Sequence, residues 1–268
     1  MSFQMEPLPR IACFHGGGSA AAIFTEQCSQ LTTQLSNTFE FVFFDAPFLR
    51  SAGPGVLPIF TYEKYGPYRT WFVDPTADPN PNPNPNSGSG SGSGSGSNPN
   101  SELDRGDGRK EDGSGEGGVE RVLRLMSEYG EQRDGGEWVG VLGFSQGTRV
   151  ASGLLLDQQR RKKLGLPRAE GGIDFKFGIL CMGSFAPMVS DVIHASFTED
   201  LIMIPTLHVH GTKDVFYEDG KKQVETYFDR KTVTVWDVAY HHAMPWYRAD
   251  VLKFVELIRT LWAETKGA

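Results

Sequence analysis

Short apolar or β-branched runs alternate with amphipathic stretches along most of this 268-residue chain. The runs typical of strands are 10–15, 39–44, 138–144, 175–182, 205–210 and 232–238. The stretches typical of helices are 20–35, 119–128, 146–157, 218–228 and 247–263. This alternation predicts an α/β fold with a mostly parallel sheet that helices cover on both faces. In such sheets the active site lies at the carboxyl ends of the strands.

One segment, at about residues 75–118, interrupts this pattern. It passes from alternating Asn and Pro through a Ser-Gly repeat into a charged, glycine-rich stretch. This composition predicts a disordered surface insertion, with a docking tail as the functional alternative. Lengthening a short loop to this size costs only about 2 kcal/mol of closure entropy. We therefore expect one domain, residues 1–268, interrupted by this insertion.

Composition and charge argue against several partners. The net charge of -7 makes nucleic acid an improbable ligand. The three cysteines are an odd number without close spacing, which is typical of reduced core thiols rather than a disulfide or a metal site. No apolar segment has the length of a membrane span, and the first residues lack a signal-peptide pattern. We expect a cytoplasmic protein without a membrane partner or a metal.

A G-x-S-x-G pattern, residues 143–147, follows the predicted strand 138–144 and precedes a predicted helix. A serine at such a corner can hold its hydroxyl exposed above the sheet edge, and the flanking glycines permit the tight turn. The helix then points its N-terminal amides at any negative charge that develops nearby. Ser145 is therefore the candidate nucleophile.

A serine hydroxyl needs a base that takes its proton and a third group that orients the base. Asp214 follows strand 205–210, and two adjacent histidines, His241 and His242, follow strand 232–238. The order Ser145, Asp214, His242 is the order expected for an α/β-hydrolase. Asp214 at the start of a helix is also typical of a helix cap.

Acyl transfer further requires an oxyanion hole of two backbone N–H groups. One donor is the amide of Gln146, directly after the nucleophile. The second comes from the glycine-rich loop after the first strand, where Gly17 is the first choice and Gly18 the alternative. The same loop, taken alone, is also typical of an ordinary strand-to-helix turn. Such a site requires no metal or organic cofactor.

Motifs along nearly the whole chain outside the insertion resemble those of the fungal serine hydrolase (FSH) family. The matching stretches are 15–16 with Phe24, 44–47, 69–72, 143–147, 183–187, 204–206, 210–214 and 242–245. The family commonly carries its histidine in Gly-Gly-His-x-x-Pro. Here Tyr240 and His241 replace the two glycines, and the spacing to Pro245 selects His242 as the base.

The resemblance implies an α/β-hydrolase that cleaves a small-molecule acyl ester or thioester. It also implies a role in releasing or editing a polyketide chain in fungal secondary metabolism, with the acyl carrier domain of a polyketide synthase as a partner. A general carboxylesterase acting on small or lipid esters is the second hypothesis. A hydrolase-like fold that only binds a ligand is the third.

An aromatic segment, residues 48–72, shows no evident strand or helix and is typical of a lid or wall around an acyl chain. Packing of these rings on the sheet is the alternative. We expect Phe72 from this segment, and Phe185 after another strand, to contact the substrate. Asp45 also follows a strand, and its position fits either a substrate contact or a turn.

Overall fold

The computed structural model of the protein describes residues 6–72, 118–133, 135–190 and 200–266. The insertion predicted at about 75–118 lies outside the described residues, apart from Gly118, where a helix begins.

Eight strands and six α-helices form the described part of the chain. The strands are β1 (Arg10–Phe14), β2 (Glu40–Phe44), β3 (Phe48–Leu49), β4 (Arg69–Thr70), β5 (Trp138–Phe144), β6 (Phe177–Cys181), β7 (Thr206–Gly211) and β8 (Val233–Val238). The helices are α1 (Ala21–Leu35), α2 (Tyr62–Tyr65), α3 (Gly118–Glu131), α4 (Gly147–Lys163), α5 (Tyr217–Tyr227) and α6 (Arg248–Lys266).

Six strands form one parallel sheet in the order β2-β1-β5-β6-β7-β8. Alternate residues of each central strand enter two different apolar clusters. On β1, Ile11 and Cys13 pack with α1 and α6, whereas Ala12 and Phe14 pack with α3 and α4. This period of two is expected for a strand buried on both faces. The predicted α/β architecture, with helices on both faces of a parallel sheet, is confirmed.

The bounds of most elements agree with the sequence patterns to within a few residues, but α4 is longer than expected. The sequence pattern predicts an end at Asp157. The helix continues to Lys163, and its last turn consists of four basic residues, which complement the helix dipole. Ion pairs of Arg161 with Asp157 and of Lys163 with Asp200 hold this turn.

The aromatic segment 48–72 contains regular structure that the sequence pattern did not indicate. β3 and β4 pair as an antiparallel ribbon, and α2 is a single turn between them. The elements are too short for a detectable period, which is why the pattern missed them. Among the described residues, no helix has the length and apolarity needed to cross a membrane.

Candidate active site

Ser145 occupies the sharp corner between β5 and α4. Its φ of 53° lies in the left-handed region, which non-glycine residues rarely adopt. Two contacts hold this conformation: the Ser145 N–H donates to the Cys181 carbonyl at 2.9 Å, and the Thr148 hydroxyl donates to the Ser145 carbonyl at 2.7 Å. A side chain at Gly147 would collide with the Phe14 carbonyl oxygen on β1. The motif glycine is therefore required by the close approach of β1.

Asp214 and His242 form a hydrogen-bonded pair at the ends of β7 and β8. The His242 Nδ1–H donates to Asp214 Oδ2 at 2.7 Å, since a carboxylate can only accept. The other oxygen, Asp214 Oδ1, accepts the Phe216 N–H at 3.0 Å. The Asp214 side chain is 2% exposed. The carboxylate therefore bonds both the imidazole and the loop that leads into α5. It is not the helix cap that the sequence also suggested, because the N-cap residue of α5 is Phe216 and this end of the helix has no side-chain capping hydrogen bond.

The imidazole of His242 lies between the rings of Phe144 and Phe216, with centroid distances of 5.1 and 5.2 Å. His242 and Ser145 face the same cavity. In the described part of the chain no hydrogen bond joins Ser145 Oγ to His242 Nε2. Such contacts often tighten only when substrate is bound.

The neighbouring His241 is exposed, and its ring nitrogen bonds the Lys213 carbonyl at 2.9 Å. It does not line the cavity. Of the two adjacent histidines, only His242 meets both Asp214 and the cavity that holds Ser145.

The loop after β1 brings Gly17 next to the nucleophile corner. A methyl group added at Gly17 would lie 3.1 Å from Gln146 Nε2 and 3.1 Å from Arg50 Nη1. The Gly18 N–H donates to the Arg69 carbonyl at 2.8 Å and is therefore occupied. Among the described residues, the Gly17 N–H has no hydrogen-bond acceptor. This geometry favours Gly17 over Gly18 as an oxyanion donor.

The side chain of His15 holds this loop in place through hydrogen bonds. The sequence pattern did not assign a role to His15. Its Nδ1–H donates to the Gly16 carbonyl at 2.7 Å, and its Nε2 accepts the Ala46 N–H at 3.1 Å. Its own carbonyl accepts the Trp71 indole N–H at 2.9 Å. Burial lowers the pKa of His15 to about 4, so the ring is neutral at neutral pH and can accept at Nε2.

The side chain of Gln146 connects the nucleophile corner to the aromatic segment. Its Oε1 accepts the Trp71 N–H at 2.9 Å and the Thr70 hydroxyl at 3.0 Å. The sequence analysis used only the backbone amide of Gln146. The side-chain role depends on the long-range approach of β4 to α4, which the local pattern does not report.

Ser145 opens into a cavity of about 490 Å³. Apolar and aromatic side chains form much of its wall: Val56, Ile59, Phe60, Phe144, Phe185, Phe216, Met244 and Trp246. Phe185, at φ 63°, lies on this wall. Residues of the aromatic segment also line it, so the segment forms a wall of the cavity.

Phe72, which we expected to contact the substrate, does not line this cavity. Its ring is buried in the core and lies under the guanidinium of Arg149, with 3.9 Å between Arg149 Cζ and the ring centroid. Arg149 itself lines the cavity. Phe72 therefore packs against a side chain that lines the cavity.

Asp45 does not line the cavity either. Its Oδ1 accepts the Ala21 N–H at 2.8 Å at the start of α1. This contact satisfies a helix N-terminal amide, which accounts for an acidic residue at the end of β2. The described residues contain no group of three or more His, Cys, Asp or Glu side chains that could hold a metal ion.

Comparison with known proteins identifies the family of this chain. Residues 5–253 match the family described as serine hydrolase (FSH1). Esterase citA of Monascus ruber is 32% identical over 281 residues, covering 96% of this chain and 94% of that protein. Esterase claE of Penicillium crustosum is 32% identical over 286 residues, covering 96% and 94%. Probable esterase azaC of Aspergillus niger is 32% identical over 264 residues, covering 96% and 87%.

Solved structures show the same fold at low sequence identity. Esterase PE8 superposes with a TM-score of 0.53 at 15% identity, covering 96% of this chain and 94% of that one. A fungal esterase from Rhizomucor miehei gives a TM-score of 0.51 at 14% identity, covering 97% and 76%. The architecture is that of the α/β-hydrolases. By its family match and by relatives aligned over nearly its whole length, this chain belongs to the serine hydrolase (FSH1) family of esterase-type enzymes.

Proposed function

We propose that this enzyme cleaves an acyl ester or thioester through a triad of Ser145, Asp214 and His242 and a covalent acyl-enzyme. One observation carries the proposal: the Asp214–His242 pair, joined at 2.7 Å, faces the same cavity as a serine held at φ 53° on a strand-to-helix corner. A positioned base with its own orienting acid is what a serine nucleophile requires.

In the first half-reaction, Ser145 Oγ attacks the acyl carbon while His242 Nε2 accepts the hydroxyl proton. The carbonyl bond pair moves onto oxygen and gives a tetrahedral oxyanion. Collapse of this intermediate breaks the carbon–oxygen or carbon–sulfur bond, and the leaving alkoxide or thiolate takes the proton from His242. Throughout, Asp214 stabilises the imidazolium and keeps the Nδ1–H directed at itself.

In the second half-reaction, water replaces the departed alcohol or thiol. His242 accepts a proton from the water as its oxygen attacks the acyl-enzyme, and Ser145 recovers the proton when the free acid leaves. In both halves the backbone amides of Gln146 and Gly17 donate to the oxyanion. Removing one such donor typically costs about 10²–10³ in kcat. The position of Gly17 beside Gln146 supports this pairing.

Within this chemistry we propose a role in releasing or editing a polyketide chain delivered by an acyl carrier domain. Support comes from the motif resemblance and from a cavity wall of aromatic and aliphatic side chains, which suits an acyl group. We also propose a cytoplasmic location, because all three cysteines are buried free thiols, as a reducing compartment maintains.

The test is turnover of purified Ser145→Ala on a matched oxygen ester and N-acetylcysteamine thioester of one acyl group. We expect a loss of several orders of magnitude on both substrates with an unchanged melting temperature. Activity near that of the wild type would refute the triad. A wild-type preference for the oxygen ester would instead favour a general carboxylesterase. An encoding gene beside a polyketide synthase gene would support the polyketide role.

A further inference from the structure

Arg50 places a guanidinium beside the proposed oxyanion hole. Its side chain is partly buried and lines the cavity that contains Ser145. Its Nη1 would lie 3.1 Å from a methyl group added at Gly17. Since such a methyl carbon lies about 2.5 Å from the amide nitrogen of its own residue, Arg50 Nη1 lies within about 6 Å of the Gly17 N–H.

The backbone fixes Arg50 relative to the oxyanion loop. The Arg50 N–H donates to the Tyr68 carbonyl at 3.0 Å, and the Gly53 N–H donates to the Gly18 carbonyl at 2.8 Å. The Gly53–Gly18 bond therefore joins the loop that carries Arg50 to the oxyanion loop directly after Gly17, and the Arg50–Tyr68 bond fixes the backbone from which the Arg50 side chain starts. A site built in this way can discriminate between substrates, because little reorganisation is needed when the substrate binds.

The charged side chains of the cavity also favour Arg50 as a substrate-binding residue. Besides His242, the side chains of the described residues that line the cavity and carry a charge are Arg50, Arg149 and Glu26. Arg149 is 1% exposed, donates from Nε to the Ala186 carbonyl and lies over Phe72, so it is engaged with the wall. Glu26 is exposed on α1. By its distance from Gly17, Arg50 is a cation beside the proposed oxyanion hole.

We propose that Arg50 is a specificity-determining residue that binds a second electron-rich oxygen on the acyl group, within two or three carbons of the scissile carbonyl. An oxo, hydroxyl or carboxylate oxygen there would reach Arg50 while the scissile carbonyl oxygen reaches Gly17. The guanidinium donates a charge-assisted hydrogen bond to such an oxygen. This inference rests on the proposed function, since it takes Ser145 as the point of attack.

The test compares two N-acetylcysteamine thioesters, acetoacetyl and butanoyl, which differ only in the oxo group. Each kcat/KM is divided by the rate constant for alkaline hydrolysis, so that intrinsic reactivity cancels. For the wild type we expect a normalised preference for acetoacetyl. For Arg50→Gln we expect about a ten- to hundredfold loss on acetoacetyl, the range of a lost charged hydrogen bond, and less than a threefold change on butanoyl.

Two further variants make the result specific. Arg50→Lys keeps the charge and should recover part of the preference, whereas Arg230→Gln removes a surface arginine paired with Glu225 and should leave it unchanged. An equal loss on both thioesters, or no loss on either, would overturn the role of Arg50. Labelling of Ser145 by a fluorophosphonate in the same Arg50→Gln sample shows that it is folded. Failure of the wild type to label would refute the triad itself, which separates the two proposals.

Discussion

Asp214 uses its two carboxylate oxygens for different tasks. Oδ2 accepts from His242, and Oδ1 accepts from the Phe216 backbone. In Asp214→Asn, one oxygen can still accept from Phe216, but the amide group turned towards His242 favours the wrong tautomer of the imidazole. We expect kcat to fall by about 10⁴, as it does when the acid of a serine-protease triad is replaced in this way. The melting temperature should stay near that of the wild type.

A matched control is Asp237→Asn. Asp237 also lies near the end of a strand and beside a histidine, with 3.3 Å between His210 Nδ1 and Asp237 Oδ1, but it does not line the cavity. Steady-state kinetics should show unchanged turnover for this variant. A similar kcat in Asp214→Asn and Asp237→Asn would contradict the orienting role of Asp214.

Gln146 is the second residue whose side chain has a separable role. Its Oε1 accepts both the Thr70 hydroxyl and the Trp71 N–H in a buried setting. Gln146→Leu leaves these donors unsatisfied and should lower the free energy of unfolding by about 2 kcal/mol. Urea unfolding of Gln146→Leu, Thr70→Val and the double variant should give a coupling of about 1 kcal/mol. Additive effects would mean that the contact contributes nothing to stability.

At the scale of elements, the segment between β3 and β4 forms one wall of the cavity. Ile59 is 74% exposed and lines the cavity, whereas its neighbour Leu57 is 54% exposed and does not. Because Ile59 is exposed, Ile59→Ser should change the free energy of unfolding by less than about 0.5 kcal/mol. Because Ile59 lines the cavity, the substitution should raise KM for an octanoyl ester relative to an acetyl ester. Leu57→Ser is the matched control. Equal effects of the two substitutions on KM would show that this wall does not contact the acyl chain.

Elements also show what the sequence could predict. The six sheet strands and the ends that carry Ser145, Asp214 and His242 were predictable, because apolar periodicity and motif spacing are local signals. The side-chain contacts that hold these strand ends in place were not predictable. His15 and the Gln146 side chain bond groups more than thirty residues away, and the contact of Phe72 with Arg149 joins two different elements. Local patterns carry no information on such pairings.

At the scale of the whole molecule, buried histidines make stability depend on pH. Burial lowers the pKa of His15 to about 4 and that of His208 to about 3, below the ordinary value of 6.5. Between pH 6.5 and 4 the unfolded chain binds protons at both positions and the folded chain does not. The free energy of unfolding therefore falls as the pH falls, by about 1.4 kcal/mol per pH unit for each histidine.

Replacing one such histidine separates its contribution to the pH dependence of stability from the contribution of the carboxyl groups. Between pH 7 and pH 5, wild-type protein should lose about 2 kcal/mol more stability than His208→Gln, which does not titrate. Urea midpoints at the two pH values measure this difference. Identical pH dependence of the two proteins would mean that His208 is not held neutral by burial.

The central claim, that Ser145 is the nucleophile of an acyl-enzyme mechanism, is tested most directly by the mass of the labelled protein. Wild-type enzyme treated with a fluorophosphonate should gain the mass of one adduct, which peptide mapping should assign to Ser145. Ser145→Ala should gain none under the same conditions. An adduct on a different residue, or an unlabelled wild type that still hydrolyses its ester, would contradict the account.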